Sequence, residues 1–211
     1  MASQSTWPPS AGLSTPTVPR TDAILSMAAS INISAPAEQV FRVVLDTSTY
    51  PSWCTFVPRV AINSQPPEVE TSSQLLHLGT RFTFYAVMDP SKPHKEAPTN
   101  LVVTDVSTPE KQSNYISRET LESDGSFTPN LNIVYRVSWG GDGRLFSMVL
   151  KSERFHEIII TKENECEVRT WEVMGGLLAR TVSWLYKDTL KERFEDWNAD
   201  LKKFCENGAT S

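Results

Sequence analysis

Beyond residue 152 the chain alternates in a two-residue period. Arg154, His156, Ile158 and Ile160 occupy one set of positions, and Glu153, Phe155, Glu157 and Ile159 the other. After Lys162-Glu163-Asn164 the pattern returns as Cys166, Val168, Thr170, Glu172 and Met174, interleaved with Glu167, Arg169, Trp171 and Val173. Beta-branched and aromatic residues with charges at alternate positions predict two half-buried strands of one β-hairpin. With a three-residue turn over 163–165, Lys162 opposes Cys166 and His156 opposes Glu172. The concave face then carries Arg154, His156 and Glu172 among apolar neighbours. Glu153, Glu157, Glu167 and Arg169 point to water on the other side. Trp171 faces away from the concave side as well.

The rest of the pattern is consistent with an antiparallel sheet. Ser30-Ile31-Asn32-Ile33-Ser34 alternates as a strand, and Ala35-Pro36-Ala37-Glu38 opens a helix with a proline and a carboxylate in its first turn. Tyr50-Pro51-Ser52-Trp53 forces a break and a second short helix or turn. Further strands are expected over 59–62, 80–88, 101–106, 133–139 and from 147 into the hairpin. Gly140-Gly141-Asp142-Gly143 lies between strands rather than before a helix, so it reads as a turn and not a phosphate loop. Segments 63–78, 89–100 and 107–130 read as long loops, the kind that cover cavities when they are functional. Residues 1–22, rich in Pro, Ser and Thr, read as a disordered tail, and 23–207 as one ligand-binding domain. A helix over 177–206 carries an apolar stripe that includes Leu178, Val182, Leu185, Tyr186, Leu190, Phe194, Trp197, Leu201 and Phe204. Thirty residues at about 1.5 Å each cross a whole sheet.

Composition narrows the classes. A chain of 211 residues with 39% hydrophobic content can bury a sizeable core. The net charge of −5 and the lack of a clustered Lys/Arg face exclude a nucleic-acid surface. Cys54, Cys166 and Cys205 are widely spaced, which suggests reduced thiols in the cytosol rather than a disulfide framework or a zinc site. No apolar run approaches a membrane span or a signal sequence. The expectation is a cytoplasmic protein that uses no metal or other cofactor and does not insert stably into a membrane. Its oligomeric state is left open.

Strand, two short helices, a run of antiparallel strands and one long C-terminal helix resemble the START-like, or SRPBCC, superfamily. Ile33-Ser34-Ala35-Pro36-Ala37-Glu38-Gln39-Val40-Phe41, Tyr50-Pro51-Ser52-Trp53, Glu153-Arg154-Phe155-His156-Glu157, Thr170-Trp171-Glu172-Val173-Met174-Gly175-Gly176 and Trp197-Asn198-Ala199-Asp200-Leu201-Lys202 carry the likeness. The nearest group is polyketide cyclase/dehydrase and lipid transport, with a fungal flavour. The resemblance implies an α+β helix-grip fold, in which a curved antiparallel sheet wraps the long helix around a cavity for a hydrophobic small molecule. It supplies no universal catalytic residue.

Chemistry must therefore come from the residues themselves. His156 beside Glu172 has the makings of a base with an orienting carboxylate, and Arg154 of an anchor for an enolate, phenolate or carboxylate. The same three are also what a buried pair tying two strands together looks like. Trp53, Phe82, Phe84, Ile158, Val168, Thr170, Met174, Leu178, Val182 and Leu185 are expected to line the cavity. The leading expectation is a cofactor-independent cyclase or dehydratase of secondary metabolism, acting on a polyketide-like or terpenoid-like substrate. The alternative is a non-catalytic carrier of lipid, sterol or quinone.

Overall fold

The computed structural model describes residues 7–143 and 149–208. Its elements are β1 (Ala23–Ile33), α1 (Ala37–Leu45), α2 (Tyr50–Trp53), β2 (Arg59–Ser64), β3 (Arg81–Val87), β4 (Glu96–Ser107), α3 (Arg118–Ser123), β5 (Val134–Gly141), β6 (Lys151–Lys162), β7 (Glu165–Gly175) and α4 (Leu177–Gly208). Seven antiparallel strands lie in the order β1-β7-β6-β5-β4-β3-β2. The first two strands in sequence thus stand at opposite edges, and α1 and α2 make the crossing between them. This is the helix-grip arrangement. Ala37, Val40, Phe41 and Val44 bury one face of α1, and Tyr50 closes α2 by donating its hydroxyl to the Val44 carbonyl at 2.8 Å.

The hairpin has the expected faces but not the expected register. Lys162 pairs with Glu165, leaving a two-residue turn, and a bulge at Thr161 shifts the ladder once more, so that Ile160 opposes Cys166. Each offset alone moves the register by one residue and would flip every side chain. Together they restore the faces and slide the pairing by two. Arg154 therefore opposes Glu172, and His156 opposes Thr170.

Both faces of the sheet are covered. On the concave side α4 packs along β1, burying Leu190, Phe194, Trp197, Leu201 and Cys205 in the main core. On the convex side a second apolar cluster joins Leu13, Val18, Ile116, Leu121, Phe127, Phe155, Trp171 and Val173. The expectation of a disordered tail over 1–22 is corrected for residues 7–22, and residues 1–6 lie outside the described residues. Residues 7–22 form a strap across the sheet, with the Trp7 ring 5.9 Å from Trp171 and the Trp171 indole N–H donating to the Ser14 carbonyl at 3.1 Å. Proline-rich composition disfavours helix and strand, but it does not prevent apolar residues spaced along an irregular segment from burying themselves. Segment 107–130, expected as a loop, contains α3 and completes the same layer. Residues 96–100 of the 89–100 segment belong to strand β4, paired along β3. The start proposed for β6 at 147 lies outside the described residues.

The convex layer also overturns the expectation that Glu153 and Glu157 face water, because both are fully buried. Glu157 forms an ion pair with Arg136, whose Nη2 lies 2.6 Å from Oε1, and accepts from the Thr128 backbone N–H and hydroxyl. Glu153 accepts from the Thr17 N–H, the Thr104 hydroxyl and the Tyr115 hydroxyl at 2.7–3.0 Å. Glu167 and Arg169 are half-buried and bind each other at 2.8 and 2.9 Å.

Candidate functional site

The alternation of β6 and β7 delivers Ser152, Arg154, Glu172 and Met174 to one wall of an internal cavity of about 200 Å³. Phe84, Ala86 and Met88 extend the wall along β3, and Leu190 of α4 faces it. The lining is mostly apolar, with Thr99, Ser152, Arg154 and Glu172 as its polar members. That size falls below the roughly 300–1,000 Å³ usual for drug-sized ligands.

Arg154 is held from several sides. Its guanidinium carbon lies 4.0 Å from the Phe194 ring and 4.6 Å from the Trp197 ring, both presented by α4. Its Nε donates to the Thr170 hydroxyl at 3.3 Å, while its Nη2 is buried with no hydrogen-bond partner among the described residues. Burial pulls its pKa down to about 10, and the charge of Glu172 opposes that fall. It remains a cation at neutral pH.

Glu172 stands across the ladder from Arg154. By exposure it is half-buried, since its carboxyl borders the cavity. Burial raises its pKa above the ordinary carboxylate range, with Arg154 acting in the opposite sense. A carboxyl whose pKa is raised, across the ladder from a guanidinium with a free donor, can pass a proton while the cation holds an anionic oxygen.

His156 takes a different place. It is fully buried, with its ring 4.6 Å from that of Trp139 and 5.4 Å from that of Trp197. Neither ring nitrogen has a hydrogen-bond partner among the described residues, and the residue does not border the cavity. Burial, reinforced by the charge of Arg154, holds its pKa well below 6.5. The expected His156–Glu172 cross-strand pair is therefore not formed, and the juxtaposed pair is Arg154 and Glu172.

The other expected wall residues divide. Phe84 and Met174 line the cavity, and Thr170 reaches it only through Arg154. Trp53, Phe82, Ile158 and Val168 are buried in the core beside it, with Trp53 packed 5.2 Å from Trp197. Val182 is half-buried against that core and Ala179 fully buried in it, but Leu178 and Leu185 are exposed, because they lie off the helix face that Ala179, Val182 and Leu190 turn to the core. Cys166 is buried on this face, and burial lifts its thiol to about 12, which leaves it protonated and unreactive. Carrying the two-residue period onward from Phe84 and back from Arg154 would have found Ala86, Met88 and Ser152. Phe56 and Val57 also line the cavity, but they come from an irregular segment with no period to read. Among the described residues no group of three or more His, Cys, Asp or Glu converges as metal ligands, and no helix is long and apolar enough to cross a membrane.

Comparison with known proteins agrees with this fold. The sequence profile described as polyketide cyclase/dehydrase and lipid transport matches residues 25–192. A protein of Penicillium oxalicum named oxopyrrolidines biosynthesis cluster protein O is 32% identical over 206 residues, covering 92% of this chain and 93% of that one. Among solved structures, the Zhui aromatase/cyclase from Streptomyces sp. R1128 superposes with a TM-score of 0.55 at 6% identity, over 88% of this chain and 95% of that one. A START superfamily protein from Mycobacterium smegmatis gives 0.53 at 11% identity, over 86% and 97%. At such identities the superpositions speak to the fold.

Proposed function

This chain belongs to the polyketide cyclase/dehydrase and lipid transport family, and from that premise we propose that it catalyses a cofactor-independent cyclisation or dehydration of a small secondary metabolite in the cavity beside β6 and β7. Arg154 holds an anionic oxygen of the substrate, an enolate or carboxylate, through its free Nη2. Glu172 takes a proton from carbon or returns one to the leaving oxygen. The apolar wall keeps the flexible remainder close to its reactive conformer. His156 serves as a neutral ring packed between Trp139 and Trp197, steadying the strand that carries Arg154. A biosynthetic pathway is the setting suggested by the relative from Penicillium oxalicum.

The observation that carries this reading is the juxtaposition, on the cavity wall, of a carboxyl with a raised pKa and a buried guanidinium whose Nη2 lacks a partner. The alternative, a carrier of lipid, sterol or quinone, draws on the apolar lining. A cavity near 200 Å³ weighs against a sterol.

The test pairs chemistry with stability. Ligand released from purified protein is identified by mass spectrometry, and its precursors are used as substrates. Glu172→Gln should lower turnover by about 10²–10⁴-fold, the range for a lost acid/base group, while the melting temperature stays level or rises because a partly desolvated carboxylate has been removed. Arg154→Met should abolish binding of acidic ligands. Unchanged turnover in a well-folded Glu172→Gln protein would move the assignment to a carrier or to a cyclase that works by shape alone.

A further inference from the structure

The first turns of α4 carry an apolar surface left exposed among the described residues. Trp184 is 83% exposed, Leu177 77% and Leu185 50%, and Leu178 is exposed as well. Spaced at i, i+1, i+7 and i+8, the four share one helix face. The surface continues beyond the helix. Exposed Ile24 follows Ala23, which lies opposite Gly175 in the sheet, and exposed Val149 sits against Gly176, where an added Cβ would come within 2.7 Å of its carbonyl oxygen. An apolar collar of this kind on a water-soluble face normally marks an interaction surface.

Two features say what it meets. Arg180, Lys187 and Lys191 are all exposed on the same stretch of helix, and none belongs to an ion pair among the described residues. Asp188 is the one carboxylate between 177 and 191, in a chain whose net charge is −5. The cations are thus concentrated beside the apolar face, against the charge of the whole molecule. The collar is also close in sequence to the cavity wall, since Leu150 and Met174 of that wall lie one and three positions from Val149 and Leu177.

We propose that this collar docks the protein on an anionic lipid bilayer surface, with Leu177, Leu178, Trp184 and Leu185 at the headgroup–acyl boundary and Arg180, Lys187 and Lys191 on the lipid phosphates. Trp184 suits that depth, since an indole pairs an apolar body with a polar N–H. A helix with an apolar face and a basic flank lies in the interface plane without crossing it. A second copy packed face to face would instead bring two sets of three cations to one seam, with one carboxylate from each side to offset them. The proposal rests on this surface and is independent of the acid–base reading of Glu172.

Cosedimentation of the full chain with vesicles tests it. Binding is expected to equimolar phosphatidylcholine and phosphatidylserine, weaker binding to phosphatidylcholine alone, and loss of the difference in high salt. Trp184→Ser with Leu185→Ser should weaken partitioning at least about tenfold with the melting curve unchanged, as these side chains support no core. Lys187→Glu with Lys191→Glu should remove the preference for phosphatidylserine and spare the fold. Absence of wild-type binding to either vesicle, or equal binding by the Ser variant, would overturn the proposal. So would a lipid-free dimer that the Ser variant makes monomeric, which would assign the face to self-association.

Discussion

Strand β6 places buried charges on both faces of one sheet, and the two faces treat them in opposite ways. On the convex face Glu157 has Arg136 and Thr128, and Glu153 has Thr17, Thr104 and Tyr115. On the concave face Arg154 keeps a free Nη2, and His156 has a partner for neither nitrogen. The strand, its pleat and the depth of burial are common to both. What differs is completeness. A buried charge with all its partners binds layers together, and one left short of partners is available to a ligand at a standing cost in stability.

The largest break in this comparison should come from the convex pair. Glu157→Gln leaves the Arg136 guanidinium buried without its counter-ion and should cost about 3–5 kcal/mol in denaturant unfolding. Glu172→Gln, across the sheet, should cost nothing. Equal losses from the two would erase the distinction between the faces. A smaller effect is expected at Tyr115→Phe, which removes one of the donors to Glu153. Its loss should be about 1.5 kcal/mol, with the 107–130 segment gaining amide exchange ahead of the sheet.

The smallest change concerns His156 and appears only as a pH dependence. Its folded pKa is depressed, so the stability it contributes is present above the ordinary value of 6.5 and is lost as pH falls below it, because the unfolded chain then takes up a proton that the folded ring refuses. His156→Phe should flatten the melting temperature between about pH 6.5 and 5 while changing neutral stability little. An unaltered slope in that variant would mean that the ring is protonated in the folded protein, and the concave side would then hold two cations rather than one.

The order of the strands and of the helices, α3 excepted, and the concave set of Arg154, His156 and Glu172 follow from the chain's own periodicities, while the curved sheet gripping the long helix was implied by the family resemblance. Side-chain direction in a strand depends on parity alone, and parity is written in the sequence. Pairing is not, because registers two residues apart have identical faces. Only the two-residue turn and the bulge at Thr161 selected Arg154 as the partner of Glu172. The apolar stripe of α4 was likewise legible along its whole length, yet Leu178 and Leu185 stay exposed while Leu201 is buried. Periodicity says which residues share a broad stripe, but only packing decides which edge of that stripe meets the core, and here Ala179 and Leu190 meet it while Leu178 and Leu185 do not. The covering of Glu153 and Glu157 was the least readable of all. It depends on segments 7–22 and 107–130, which have no repeating pattern and whose apolar residues meet only once the sheet has brought distant parts of the chain together.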